Sequence, residues 1–467
     1  MTAKKQRSDI FFVSITIITV ITTLFLLASQ YYLYSILPVT SLVLLAFFSK
    51  FPNLALYIVI FLIPFGSYRT LGNVKVIWLL SLWLLIVMFC KLLFASKAHE
   101  KLHSNLWQLI FYYILINFLS TIFSEYKDAS LVNFAKLIAA YLFVALNLFF
   151  LTDKKIFFSV LPKIIVTSIS ISAFLAVASH YLNLSLFREA GGNTDFQRGT
   201  GGTTDPNSLA LMLTFSLPFI VNWLKSSRHT FTKVICSALI ILNIFALSTT
   251  YSRSGLLMMV LVLAALFYYY YVRTLSAKSW GFLLVGLTAI SIVFFIAIGT
   301  NETFSKRFSG IGLTNQDRSV ERRLSYITVS WESFQNSPLI GQGTGTFIEI
   351  YGKSRYALAY QHSSEGLKRY AHNTYLEILV GTGLLGFIAY LLVLLKVSKN
   401  FYVAIQNFAQ QNETEYIGLT WAYFFAFLAA SLFLFMFSEI YHKYILLSIA
   451  ASQIALTLSQ SSRINHE

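Results

Sequence analysis

Two arginines and one histidine are the residues of this sequence whose types and surroundings point most directly to chemistry. Arg198 lies in the loop 183–207 and is followed by the run GTGGTTDPN, Arg253 lies in the sequence SRSG, and His372 opens the sequence HNTY. Glycines let a backbone approach a ligand closely, and an arginine beside a helix N-terminus suits a phosphate group. Histidine can serve as a general base because its unperturbed pKa lies near neutrality. The three residues therefore suit the binding of a phosphorylated ligand and the removal of a proton.

Each of these positions also has a purely structural interpretation, which the local sequence leaves open. The glycine run could be a turn that ends in a helix cap, since Asp205 and Asn207 both suit the start of a helix. Arg253 could snorkel to a membrane interface, and His372 could cap the helix that follows it. Arg188 is a second arginine in the same loop as Arg198, and either could be the more important one.

Long apolar runs are the elements that must position these residues. The chain has 467 residues, of which 57% are hydrophobic and only 12% charged, whereas soluble proteins carry about 25% charged residues. The runs are continuous rather than alternating, so we predict an all-α polytopic membrane protein with about 12–14 transmembrane helices. The candidate spans are 10–28, 31–48, 51–65, 74–95, 104–123, 130–151, 160–182, 207–224, 233–249, 254–272, 280–299, 373–397, 415–437 and 440–459.

The distribution of positive charge predicts the orientation of these spans. The net charge of +16 would suggest nucleic acid in a soluble protein, but here lysines and arginines lie in the loops between spans. They concentrate on the side of the N-terminus, so we predict cytoplasmic N- and C-termini and no cleaved signal peptide. Residues 1–299 then hold eleven spans, 300–372 form one long external loop, and 373–467 hold three spans. The short run 51–65 is the span whose full crossing is least certain, because prolines lie near both ends.

The external loop 300–372 has a predicted order of its own. Apolar residues recur at helical spacing between residues 319 and 336, after which Pro338 ends the helix and three glycines predict a turn. Asn373 is placed to cap the next span. The basic residues of this helix region are Arg318, Arg322 and Arg323, and the first two share a helical face. That face is either solvated or attracts lipid phosphates or anionic sugars.

Four blocks of sequence together resemble the superfamily of O-antigen ligases and O-antigen polymerases (Wzy). The blocks are RGTGGTTDPN from Arg198, SRSG from Ser252, PLIGQGTGTF from Pro338 and HNTYLEILVGTGLLG from His372. The resemblance covers about residues 195–395. It implies a single domain of GT-C type and an inverting, metal-independent membrane glycosyltransferase. The donor it implies is a glycan linked to undecaprenyl pyrophosphate, used at the periplasmic side of the bacterial inner membrane.

The resemblance also implies roles for individual residues. Arg198 and Arg253 correspond to arginines that bind the donor pyrophosphate, and His372 corresponds to the histidine that activates the acceptor hydroxyl. These roles make chemical sense, because fixed cations stabilise a departing pyrophosphate and a base assists a weak sugar nucleophile. We therefore expect no cofactor and no metal. The remaining predicted substrate-binding residues are Arg188, Asn207, Arg318, Arg322, Arg323, Asn373 and Tyr375.

The acceptor is the part of the function on which alternatives stay open. A ligase would transfer the glycan to lipid A–core, whereas a polymerase of O-antigen or exopolysaccharide would transfer it to a second lipid-linked unit. Transfer to protein is a related alternative. A polysaccharide transporter or lipid flippase is a different class, disfavoured because few charges lie within the predicted spans. We expect ligase activity, with membrane lipids as surroundings and no nucleic acid as partner.

Overall fold

Helices make up most of the structure, as the continuous apolar runs predict. The computed structural model describes residues 19–28, 35–65, 70–71, 74–94, 104–182, 188–190, 197–203, 205–270, 319–359 and 367–464. The helices are α1 (Ile36–Lys50), α2 (Pro52–Phe61), α3 (Val76–Phe94), α4 (Leu106–Ile122), α5 (Lys127–Phe150), α6 (Leu161–Tyr181), α7 (Pro206–Ser226), α8 (Thr230–Thr250), α9 (Arg253–Tyr270), α10 (Ser319–Asn336), α11 (Phe347–Gly352), α12 (Arg355–Ala359), α13 (Thr374–Gln410), α14 (Thr414–Phe433) and α15 (Lys443–Ile464).

The prediction of an all-α polytopic membrane protein is confirmed. Among the described residues, seven helices are long and apolar enough to cross a membrane. They are α5, α6 with the π-helical turn Ile156–Val160 before it, α7, α8, α9, α13 and α14. The predicted span 51–65 becomes the ten-residue helix α2 followed by a 3₁₀ turn, Ile63–Phe65. At about 1.5 Å per residue, α2 is too short to cross a bilayer alone. The predicted span 280–299 and parts of 10–28 and 31–48 lie outside the described residues.

Two short antiparallel hairpins interrupt the helical pattern and were not predicted. The first pairs β1 (Thr70–Leu71) with β2 (Val74–Lys75). The second pairs β3 (Arg188–Ala190) with β4 (Gln197–Gly199), and its register places Glu189 opposite Arg198. This second hairpin shapes the loop that the sequence analysis singled out, because it fixes the backbone at Arg198 just before the glycine run.

Helix α13 is broken at its tenth residue, and the glycine segment after α10 supplies hydrogen-bond partners at the break. Gly383 has φ 63° and ψ −165°, which is not helical. The Gly343 amide donates to the Gly381 carbonyl at 2.9 Å, and the Leu384 amide donates to the Pro338 carbonyl at 2.8 Å. These bonds satisfy backbone groups that the break leaves without helical partners, which matters at membrane depth. The predicted span 373–397 is therefore the N-terminal part of a longer, kinked helix.

The same glycine segment is also held from the side by α4 and α5. The Ser124 hydroxyl donates to the Gln342 carbonyl at 2.7 Å, and the Asn133 amide donates to the Gly345 carbonyl at 3.2 Å. Gly341 and Gly343 have φ of +73° and +118°, a backbone region that favours glycine. The predicted glycine turn exists, and hydrogen bonds from several helices hold it in place.

Candidate active site

Arg198 lies beside the junction between α8 and α9. Its Nε donates a hydrogen bond to the carbonyl of Thr250, the last residue of α8, at 2.8 Å. Arg253 is the first residue of α9, three positions further along the chain. The backbone reverses between them at Tyr251, which is buried and adopts a left-handed φ of 49°. The two predicted arginines are therefore held at one turn of the structure, although 55 positions separate them in sequence.

A hydrogen-bonded pair joins the N-termini of α7 and α9 at the same place. Asp205 caps α7, since its Oδ1 accepts from the Asn207 amide at 2.6 Å, which confirms the predicted cap. The Ser252 hydroxyl donates to Asn207 Oδ1 at 2.8 Å and accepts from the Gly255 amide at 3.0 Å. Two helix N-termini, each with positive partial charge, therefore lie side by side next to Arg198.

The glycines of these motifs allow close packing, which differs from the predicted approach to a ligand. A Cβ on Gly201, where φ is +58°, would lie 2.3 Å from the Ser172 carbonyl of α6. The Ser172 hydroxyl in turn donates to the Gly201 carbonyl at 2.6 Å. A Cβ on Gly255 would lie 2.6 Å from the Ala210 Cβ of α7. The glycine run and the SRSG motif therefore position the arginine-bearing segments by letting helices touch.

His372 lies at the entry to α13 in a constrained backbone. Its φ is +50°, and Asn373 after it caps the helix by accepting from the Tyr375 and Leu376 amides at 3.0 and 3.2 Å. On its other side, the Ala371 amide donates to Glu377 Oε1 at 2.8 Å. The imidazole lies 6.0 Å from the Tyr326 ring of α10, measured between centroids. Contacts on both sides thus fix where the side chain points.

The imidazole of His372 is held neutral by its surroundings. The pKa of His372 is lowered to about 4, first by burial and then by the positive charge of Arg323, while the negative charge of Asp205 acts in the opposite direction. Arg322 and Arg369 also lower the pKa. His372 is therefore within electrostatic reach of the cap of α7 and of the basic residues of the loop. A neutral imidazole at physiological pH is the form that can accept a proton.

The loop between α14 and α15 holds the start of α13 in place through hydrogen bonds. The sequence analysis did not predict these contacts. The Asn373 amide donates to the Ser438 hydroxyl at 3.0 Å, and the Thr374 hydroxyl donates to the Phe437 carbonyl at 2.8 Å. Glu377 is 5% exposed on the membrane helix α13. The sequence analysis also missed Glu377. Its position within a predicted span is the signal that could have identified it, because acidic residues in a membrane are costly unless they have partners.

The other predicted substrate-binding residues fall into three groups. Asn373 is a cap, and Tyr375 is buried with its hydroxyl donating to the Ser431 carbonyl at 2.8 Å. Arg322 and Arg323 lie on α10 near His372, and Arg369 joins them without having been predicted. Arg188 lies in β3, and Arg318 lies outside the described residues.

Cations and a neutral base are thus what the site offers to a ligand. The Nε of Arg322 is buried and has no hydrogen-bond partner in the part of the chain that the structure describes. A buried donor without a partner is costly, and an anionic ligand would satisfy it. Within the described ranges, no group of three or more His, Cys, Asp or Glu side chains could hold a metal ion. The arrangement suits a negatively charged substrate and a proton transfer.

Part of the chain is similar to a known protein family. Residues 238–391 match the family model described as O-antigen ligase (Wzy_C). No curated protein matches the chain. The matched segment runs from α8 through the first half of α13 and contains Arg253, the glycine segment and His372, while Arg198 precedes it. The match confirms the resemblance to the superfamily of O-antigen ligases and polymerases.

Proposed function

We propose that this protein, which carries the O-antigen ligase domain of that superfamily, is a membrane glycosyltransferase that works without a metal. It would move a glycan from undecaprenyl pyrophosphate to lipid A–core at the periplasmic face of the inner membrane. The observation that carries the proposal is the convergence of three distant segments. Hydrogen bonds join the Arg198 segment to the start of α9, and His372 lies within reach of the charge on Asp205, which caps α7.

The donor pyrophosphate would bind between Arg198, Arg253 and the N-termini of α7 and α9. Helix N-termini present backbone amides and a positive partial charge to an anion. Guanidinium groups bind phosphate oxygens through paired hydrogen bonds and remain charged throughout. The arginines near His372 would add to this positive field. A site preorganised in this way stabilises the charge that develops on the departing pyrophosphate oxygen.

His372 would activate the acceptor. A hydroxyl of the acceptor sugar attacks the anomeric carbon of the donor glycan while the imidazole accepts the hydroxyl proton. A new carbon–oxygen bond forms, the bond from the anomeric carbon to the pyrophosphate oxygen breaks, and undecaprenyl pyrophosphate leaves. Attack opposite to the leaving group inverts the anomeric configuration. With its pKa lowered to about 4, the imidazole is neutral before the reaction, which is the form that accepts a proton.

Reconstitution in liposomes with a lipid-linked glycan tests this proposal. Purified protein would receive lipid A–core in one reaction and a second lipid-linked glycan in another, and the product identifies the acceptor. A product on lipid A–core supports ligase activity, whereas a lengthened lipid-linked glycan would make the protein a polymerase. Transport of the donor without any new glycosidic bond would contradict the enzymatic proposal.

The arginine role has a matched control within the chain. Arg253→Ala should abolish transfer while the protein still inserts in the membrane. Arg355→Ala should leave the rate unchanged, because this side chain on α12 is exposed and contacts Tyr356 and Glu332. Wild-type transfer by Arg253→Ala would show that Arg253 does not hold the pyrophosphate.

The metal-independent mechanism has its own test. Transfer should continue in excess EDTA, and inhibition by EDTA that magnesium reverses would contradict this mechanism.

A further inference from the structure

Helix α10 turns its apolar stripe away from the protein. Leu324, Ile327 and Trp331 recur at helical spacing, and their side chains are 59%, 51% and 57% exposed. A helix that packs on a protein core normally buries such a stripe. The exposed stripe lies on the segment that the sequence analysis treated as an external loop. Its outward direction therefore needs a physical explanation.

The opposite face of α10 is buried against α11 and α13 and carries several small residues. Ser325, Ser330 and Ser333 are buried there, with Tyr326 and Val329 between them. Tyr326 and Val329 pack in a cluster that includes Val380 of α13. Small side chains let two helices approach closely, as they commonly do in membranes. The orientation of α10 is thus fixed by a close-packed face, which leaves the larger apolar side chains outside.

The turn after α10 is bonded to α13 well inside that helix. The turn after it reaches Leu384 and Leu385, whose amides donate to the carbonyls of Pro338 and Leu339 at 2.8 and 3.2 Å. Leu384 is ten residues after Thr374, the start of α13. At 1.5 Å per residue this is about 15 Å along the helix, a length equal to roughly half of the hydrocarbon thickness. With the start of α13 at the membrane interface, the end of α10 would lie beside the span within a leaflet.

The turn itself has the properties that a lipid environment demands. Leu339 at its tip is 61% exposed, and the neighbouring Pro338 has no backbone N–H. The Ser337 amide donates to the Phe334 carbonyl at 3.1 Å, and the Gly341 amide donates to the Ser337 carbonyl at 3.1 Å. Irregular backbone at membrane depth requires such internal partners, because hydrocarbon supplies none.

The exposed surface of α10 is continuous with a surface of the span. Leu385 and Ile388 of α13 are exposed, as is Leu339, which is hydrogen-bonded beside Leu385. An 18-residue window of α13 has a mean hydropathy of 2.5, the highest of the candidate spans in the described residues. The exposed apolar side of α13 and the apolar stripe of α10 therefore adjoin the same exposed turn.

We propose that residues 319–341 form a re-entrant helix and turn whose outward stripe is covered by bilayer lipid. The leaflet is the one on the side of the long loop. Thr328, Glu332 and Gln335 are exposed on the neighbouring arc of α10, so the helix has an apolar arc toward lipid and a polar arc toward water. Lipid would thereby hold the helix that carries Arg322 and Arg323 at a fixed depth. The inference is independent of the proposed reaction.

Spin labels in proteoliposomes test this placement. Cys90 and Cys236 are free and can be replaced by alanine, after which single cysteines are introduced one at a time. For Leu324→Cys, Trp331→Cys and Leu339→Cys, we expect collisions with oxygen to exceed those with a water-soluble nickel chelate, as at Ile388→Cys on the span. For Thr328→Cys and Glu332→Cys, we expect the reverse order.

Two results would overturn the proposal. Nickel collisions at Leu324→Cys and Trp331→Cys equal to those at Glu332→Cys would place the stripe in water. Exclusion of both reagents would show that protein covers it, either a second copy or another part of the chain.

A measurement on the unmodified protein guards against effects of the labels. A membrane-dissolved diazirine should label the peptides that contain Leu324 and Trp331 as strongly as the peptide that contains Ile388. Absence of label on the first two, with label on the third, would contradict the proposal.

Discussion

The two sides of the candidate site are built in different ways. The floor, formed by Arg198, the N-terminus of α7 and the turn before α9, is held by hydrogen bonds between neighbouring membrane helices. The wall, formed by α10 and His372, belongs to the long loop, and among the described residues it is tied to the membrane helices at several points. One point is the glycine segment in the break of α13, and another is Glu377 below Ala371.

Because of this difference, substitutions in the floor and in the wall should reduce activity in different ways. Helix ends that contact each other directly leave the floor little freedom, so damage there should appear first as lost stability. The position of the wall depends on a few anchors, so damage to an anchor should move His372 away from the arginines while the membrane helices stay folded. The predictions below test this division, from the largest expected effect to the smallest.

Loss of the base should have the largest effect. His372→Asn keeps a residue that tolerates the left-handed backbone at φ +50° but removes the imidazole. General base catalysis contributes about 100-fold to 10,000-fold, so the transfer rate should fall at least about 100-fold with an unchanged melting temperature. His229→Asn is the control, because His229 is exposed at the start of α8. Near wild-type transfer by His372→Asn would exclude His372 as the base.

Breaking the anchor of the wall should come next. Gly341→Ala places a Cβ 2.4 Å from the Gly381 carbonyl carbon, at a φ of +73° that disfavours alanine. The segment would then leave the break in α13, and transfer should fall by about 10-fold or more, since small displacements of catalytic groups are costly. Protease cleavage within α10 should increase. Gly352→Ala is the control, because its Cβ would come closest to the flexible side chain of Lys368, at 3.2 Å, and would meet backbone only at an ordinary contact distance of 3.7 Å. Normal transfer with Gly341→Ala would show that the anchor does not position the wall.

A substitution in the floor should lower the stability of the protein more than it lowers the rate of transfer. Ser252→Ala removes the hydroxyl that joins Asn207 to the Gly255 amide, which should lower the free energy of unfolding by about 1 kcal/mol. Transfer should fall only a few-fold, because both arginines remain. Ser248→Ala is the control, since the Ser248 hydroxyl bonds within its own helix. The division would fail if Ser252→Ala lost activity as strongly as His372→Asn without losing stability.

The sequence predicted the membrane class, and it singled out Arg198, Arg253 and His372 as candidates, because both inferences depend on strong local signals. Continuous apolar runs predict buried helices, and a charged residue at the end of a span is unusual enough to notice. The caps at Asp205 and Asn373 were also predictable, since a cap forms between residues two or three positions apart.

What the sequence did not predict depends on contacts between distant residues. The break at Gly383 lies within an apolar run that looks continuous, and only the segment 338–343 makes it tolerable. An apolar stripe on a helix usually packs on a protein core, but Leu324 and Trp331 point outward. In the proposal above, lipid covers them in place of a protein core. The role of Glu377 depends on Ala371, which is close in sequence but belongs to the loop.

The smallest effect expected is a shift in the pH dependence of transfer, which reports on the contact between floor and wall. The pKa of His372 is about 4, so activity should fall in acid as the imidazole is protonated. Asp205, on the floor, raises this pKa, whereas Arg323, Arg322 and Arg369 lower it. Asp205→Asn keeps a good cap and removes the negative charge, so the fall should move to lower pH. Arg323→Gln removes a positive charge, so the fall should move to higher pH.

Rates of transfer measured from near pH 4 to neutrality check both shifts, with Arg355→Gln as a control whose acid limb should match that of the wild type. Opposite shifts would support electrostatic contact between the cap of α7 and His372, and hence a floor and wall that meet. In another outcome, the fall in rate at low pH would stay in place with Asp205→Asn but move with Arg323→Gln. The pKa of His372 would then depend on charges of its own loop and not on Asp205. The floor and wall would then meet only when substrate brings them together.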